Sequence, residues 1–125
     1  MANYNELPVF KAVYYLLLRT FQISQHWRRD LRYTLGEELK KEIIDILQLI
    51  YQANSSQKKL AYISSCRRKI VKVKIQIRVV KDMKEMKISQ YASLAELTEN
   101  ISKQLVGWER VERKREKSLI EDKNN

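Results

Sequence analysis

The stretch ISSCRRKIVKVKIQIRVV, residues 63–80, can be read in two ways, and the choice decides the fold. Val71, Val73, Ile75, Ile77 and Val79 alternate with Lys72, Lys74, Gln76 and Arg78, which taken alone is the pattern of a half-buried β-strand. Ile63, Cys66, Ile70, Val73, Ile77 and Val80 recur at 3-4-3-4-3 spacing, which is the seam of a bundled helix. The seam begins eight residues before the alternation, and no turn residue bounds the alternating run. Length therefore favours a helix over about residues 57–83.

The flanking sequence supports the same reading. A first helix is expected from Pro8, which suits an opening turn, to Gln25. It has two apolar stripes: Val9, Val13, Leu16, Leu17 and Thr20, and beside them Phe10, Tyr14, Leu18 and Phe21. Two stripes on one helix suggest burial on more than one side. A second helix, over about Leu31 to Asn54, places Leu35, Leu39, Ile43, Ile46, Leu47 and Ile50 at helical spacing. Gly36 interrupts it early, at a cost of about 1 kcal/mol relative to alanine. The run Ala53-Asn54-Ser55-Ser56 reads as a turn, with Ser56 capping the next helix. A last helix is expected after Ser89 as its cap, with Leu94, Leu97, Ile101, Leu105, Trp108 and Val111 facing the core. Residues 1–111 are thus expected to form one bundle domain, and residues 112–125 a frayed, charged tail. The expected class is all-α: four helices on short connections, in up-down-up-down order.

Composition agrees. Two glycines and one proline are too few for the turns of a sandwich or barrel. The single cysteine, Cys66, excludes an internal disulfide and fits a reducing cytoplasm. No apolar run approaches the roughly 18 residues of a membrane span, and MANYNELPVF has no signal-peptide pattern, so no membrane partner is expected.

The net charge is +10, and its distribution is uneven. Between Ser56 and Lys87 stand eleven lysines and arginines against only Asp82 and Glu85. Such a focused positive field fits a polyanion, above all nucleic acid; a lysine-rich face kept for solubility is the alternative. Wound as a helix, residues 63–80 separate into sides. The seam lies on one side, and Val71, Ile75 and Val79 lie nearly opposite. Arg67, Lys74, Arg78 and Lys81 form a ridge between them, with Lys72 outside it. Arg67, Arg68, Lys72, Lys74, Arg78 and Lys81 are the candidate residues for binding nucleic acid. Val71, Ile75 and Val79 are the candidate subunit interface, since an exposed row of that kind is costly. A wide core stripe wrapping the helix would also explain them.

Catalytic chemistry finds no foothold in the sequence. His26, the only histidine, falls in a turn, and Cys66 falls on the core seam, where a thiol is inert packing. No set of His, Cys, Asp and Glu has metal-ligand spacing, and no cofactor is implied. Glu37, Glu38, Glu42 and Asp45 are expected to pair with Lys40 or Lys41. No motif reads bases in a defined order, so recognition is expected to be of shape and charge.

Four stretches together resemble a known family: LPVFKAVYYLLLRTF (7–21), RYTLGEEL (32–39), LQLIYQANSS (47–56) and KQLVGWE (103–109). In order and spacing they are similar to the accessory variability determinant proteins of diversity-generating retroelements, over about residues 7–110. The bundle proteins encoded by intervening sequences of 23S ribosomal RNA genes share a similar first helix but match the second and fourth segments less well. The resemblance implies a four-helix bundle that assembles as a cyclic homopentamer with a strongly basic surface. It implies two partners, a reverse transcriptase and nucleic acid (RNA and DNA), and a supporting role in mutagenic retrohoming without polymerase activity. It also matches the family's basic pair to Lys74 and Arg78, with lysine where arginine is typical, and it makes Trp108 a bundle anchor. An RNA-binding bundle of the intervening-sequence type and a structural oligomer without a nucleic-acid role are the alternatives.

Overall fold

The computed structural model of the chain describes residues 3–124, and no strand occurs among them. Met1 and Ala2, in the expected bundle domain, and Asn125, in the expected tail, lie outside the described residues. A single 3-10 turn, Tyr4–Glu6, leads into α1 (Pro8–Ser24). A short α2 (Arg29–Arg32) precedes α3 (Leu35–Ser55), α4 (Leu60–Asp82) and α5 (Ile88–Asn124). The four long helices are those expected. The second was expected from about Leu31 with an early interruption at Gly36, and the chain breaks just before that glycine, at Tyr33 and Thr34. Gly36 falls in the first turn of α3, where a Cβ would meet the Leu31 carbonyl at 3.4 Å and the Trp27 ring at 3.5 Å. The break turns Trp27, only 3% exposed, into the core beneath it.

Cross-helix contacts fix the directions. Tyr4 meets Tyr51, and Lys40 lies over Phe21, so α1 and α3 run antiparallel. The Cys66 thiol approaches the Ile46 carbonyl at 3.9 Å, and Lys69 pairs with Glu42, which sets α4 antiparallel to α3. Lys74–Glu99 and Arg67–Glu109 do the same for α4 and α5. Each of α1 and α4 packs against α3 and α5, so those two helices stand at diagonal corners of the bundle.

The α4 seam is buried throughout: Ile63, Cys66, Ile70, Val73, Ile77 and Val80 are at most 2% exposed. It packs with Val13 and Leu16 of α1, Leu39, Ile43, Ile46 and Ile50 of α3, and Leu94, Ile101 and Leu105 of α5. Val111 does not join them. It is 61% exposed, because the helical register gives the core positions around it to Glu109 and Glu112. The second stripe of α1 is likewise mostly outside: Tyr14, Leu18 and Phe21 are exposed, and Phe10 is half-buried.

The ends differ from expectation in detail. The turn after α3 begins at Ser56, and the N-cap position of α4 is Lys59 rather than Ser56. The Ser56 hydroxyl accepts from the Lys58 amide instead, while the Lys59 ammonium donates to the carbonyls of Ala53, Asn54 and Ser56 at the end of α3. Helix α4 closes in a Schellman motif: Lys84 takes φ 62°, its amide reaches Lys81, and the Glu85 amide reaches Val80. Ser89 lies one residue inside α5, and the preceding Lys87 amide donates to the Gln90 side chain as in half a capping box. Helix α5 continues through the charged stretch beyond residue 111 to Asn124. Its extension is tied back by Arg115, which donates to Glu112 and to the Gln57 carbonyl. At the other end Arg28 pairs with Glu85, linking the α1–α2 turn to the α4–α5 turn.

This register makes a direct stability prediction. Ile101→Ala is expected to lose about 2–5 kcal/mol in urea unfolding, as buried isoleucines do. Val111→Ala is expected to stay within about 0.5 kcal/mol of the parent, as exposed positions do.

Candidate polyanion-binding groove

Along α4 the basic side chains point away from the seam, and the packing of α5 against that helix turns part of the ridge into a wall. A groove of about 440 Å³ runs between α4 and α5, lined by Ser64, Arg67, Arg68, Ile70, Val71 and Lys74 from α4 and by Ser102 and Val106 from α5. Three of the six expected binding residues therefore meet in one place: Arg67, Arg68 and Lys74. Arg78 and Lys81 continue the same ridge toward the end of α4, where the Lys81 ammonium lies 4.7 Å from the centre of the Tyr91 ring. Lys72 stands on the far side of the apolar row. It shares a second, smaller depression with Glu42, Ser65, Arg68 and Lys69.

The row itself is outside the monomer's core. Val71 is 53%, Ile75 58% and Val79 41% exposed, which rules out the wide core stripe. A continuous apolar row thus lies between two lines of cations, Lys74 and Arg78 on one side and Arg68 and Lys72 on the other.

Most of these cations already hold a carboxylate. Arg67 pairs with Glu109 at 2.7 Å, Lys74 with Glu99 at 2.8 Å, Arg78 with Asp82 at 3.2 Å and Lys72 with Glu42 at 3.3 Å. Glu42 and Asp45 were expected to pair within their own helix; they pair across it with Lys69, and Glu42 also with Lys72. Glu37 does pair locally, with Lys40. Arg68 donates to the hydroxyls of Ser64 and Ser65, and it has no carboxylate partner among the described residues. The same holds for Lys81.

The pairs are not equivalent. Glu99 is open to solvent, and the hydrogen bond from Lys74, reinforced by the charges of Lys74 and Lys103, holds its carboxyl below the usual range. Exposed pairs of this kind contribute little net stability and are screened by salt, so an incoming anion can replace the carboxylate at small cost. Glu109 is buried to 8% exposure, and it gathers both Arg67 and Arg113. Releasing it would leave a buried charge short of a partner, so the Arg67 end of the groove is held more firmly. Arg67 uses one of its donors on Glu109 and keeps others for a second anion.

Several groove residues escaped the sequence reading. Ser64, Ser102 and Val106 carry no charge signal, and Glu99 and Glu109 look like ordinary surface glutamates until the antiparallel register of α4 and α5 is known. The Ser102 hydroxyl is buried with no hydrogen-bond partner among the described residues, and the residue lies in the groove wall. His26 is exposed and far in sequence from the groove. Cys66 is fully buried, and burial pushes its thiol up to about 12 despite the opposing charge of Lys69. It is the inert core thiol expected.

The model of the bAvd-like family matches residues 9–112 of this chain. No curated protein matches it. With most of its length matched, the chain belongs to the bAvd-like family, the accessory variability determinant proteins of diversity-generating retroelements.

Two outcomes follow from the site's electrostatics. In a carbon-detected titration Glu99 is expected to titrate below the other exposed glutamates, and Lys74→Ala is expected to return it to the ordinary range. Because the carboxyl is lowered, the pair is intact above the usual carboxylate range and is lost as pH falls through the lowered value. A thiol reagent at pH 8 is expected to leave folded Cys66 unmodified and to label it only on unfolding.

Proposed function

We propose that this bAvd-like chain is the non-catalytic accessory protein of a diversity-generating retroelement, and that it binds the reverse transcriptase and its template RNA and cDNA through the α4–α5 groove. The observation that carries this reading is the gathering of Arg67, Arg68 and Lys74 in one groove, on a helix that sets seven bases against the single carboxylate of Asp82. Binding is an exchange of anions. A phosphate takes the place of Glu99 on Lys74, and the spare donors of Arg67 and Arg68 hold a neighbouring phosphate. None of these groups reads a base edge, so affinity follows backbone shape and charge.

The same reading makes the assembly a cyclic homopentamer in the cytoplasm. Repeating the groove around a ring adds the local fields, and it lets one nucleic-acid strand touch several subunits. No helix among the described residues is long and apolar enough to cross a membrane. The match of the family model over most of the chain favours this reading over the intervening-sequence one.

A titration of structured RNA by fluorescence anisotropy tests it. With about six phosphates neutralised, the slope of log K against log salt is expected near about −5 for a duplex. Lys74→Ala with Arg78→Ala is expected to stay folded and to flatten that slope by about 2 units, one for each lost phosphate contact. Wild-type affinity in the double variant would remove the ridge from the binding surface. Glu99→Gln is expected to tighten binding, since it removes the carboxylate that competes for Lys74. A pull-down with the reverse transcriptase, repeated with the double variant, asks whether the enzyme uses the same groove.

A further inference from the structure

Among the described residues, α1 and α4, which stand at diagonal corners, each carry an uncovered apolar surface. One is the Val71, Ile75 and Val79 row of α4. The other is aromatic and is built by the 3-10 turn, α1 and one side of α3: Tyr4, Phe10, Tyr14, Tyr15, Leu18 and Tyr51. Most of these rings are about half exposed, yet they are ordered by one another. Tyr4 meets Phe10 edge-on at 5.1 Å and Tyr51 at 4.7 Å, and Phe10 stacks on Tyr14 at 6.3 Å. Two depressions of about 430 and 440 Å³ open on either side of the Tyr4–Phe10 pair. Contiguous exposed apolar surface of this kind marks an interaction site.

Resting on the ring assembly proposed above, we propose that the aromatic surface of α1 and α3 receives the α4 row of a second copy of this chain. A ring with an odd number of subunits cannot be built on a self-complementary patch. Each chain must offer two different surfaces that fit one another. These two do. The α4 row is aliphatic and flanked by Arg68, Lys72, Lys74 and Arg78, so two such rows facing each other would set cations against cations. The aromatic surface carries one lysine, Lys11, in its larger part and otherwise offers ring faces, whose negative quadrupoles accept guanidinium and ammonium groups while the rings cover the aliphatic row.

The directions also suit closure. Through Tyr51 and Leu47 the aromatic surface leans from α1 onto α3, so it does not point directly away from the α4 row. Successive docking therefore curves, as a closed ring requires and a straight fibre does not. The α4–α5 groove, on the α5 side of the row, stays open along the ring.

A mixing experiment decides the pairing. Variant one is Tyr14→Lys with Leu18→Lys, and variant two is Ile75→Lys with Val79→Lys; all four positions are exposed, so both chains keep the core. Far-UV dichroism and thermal unfolding confirm the fold of each, and Tyr15→Lys replaces the first pair if that chain melts early. In light scattering each variant is expected at the mass of one chain, 15.0 kDa. Mixed in equal amounts they are expected to form a species of two chains and no larger, since one intact surface of each kind remains. Assembly of variant one at the wild-type mass would remove the aromatic surface from the interface and leave the ring standing. Two monomeric variants that stay apart on mixing would overturn the pairing. A wild-type monomer would instead overturn the ring assembly itself, and this inference with it.

Discussion

The seam of α4 is buried against α3 and α5 at once, and an apolar face committed on two sides leaves the remaining side chains of that helix little freedom. The sequence there alternates with period two while the backbone turns with period 3.6. Two of the five alternating apolar residues, Val73 and Ile77, fall on the seam, and the other three, Val71, Ile75 and Val79, are carried to the outside. The lysines and arginines between them come out as two lines flanking the exposed row. A strand with the same sequence would have put every apolar residue on one face and every base on the other. The basic groove and the exposed row are thus both consequences of winding this stretch as a helix.

Charge on that helix is managed by pairing rather than dispersal. The bases of α4 draw on carboxylates from α3 (Glu42, Asp45), from α5 (Glu99, Glu109) and from α4 itself (Asp82). These pairs stabilise the bundle only modestly where they are exposed, but they hold long side chains in place without a bound partner. They also grade the surface. Glu99 gives way readily because it is solvated, whereas Glu109 is buried and shared between two arginines. Among the described residues, Arg68 is held by serine hydroxyls alone. The cations of this surface are therefore positioned and held in unequal degree.

Helix α5, with 37 residues, spans about 55 Å, while α4 with 23 spans about 35 Å. The extension is anchored where it leaves the bundle. Glu112 is buried, Arg115 holds it, and Arg115 also reaches the Gln57 carbonyl in the α3–α4 turn. Beyond that clasp Leu119 and Ile120 are exposed, and the helix is carried by local backbone bonds. Composition does not reveal this clasp, because one tertiary contact across 58 residues leaves no mark in a run of lysines and glutamates.

The sequence by itself determined the four long helices, the α4 seam and the ridge of bases, because each is a matter of helical period and charge along one segment. It also showed the matching stretches that lead to the bAvd-like family. Only the tertiary structure decided which surfaces are free and which residues share a site. Val111 has the period of a core residue and is exposed; Trp27, in a turn full of charge, is buried; Ser102 and Glu99 enter the groove without any local signal. Those assignments depend on the rotation of α5 against α4 and on the break at Tyr33 and Thr34. Both are set by packing between segments far apart in the chain, which no pattern within a single segment records.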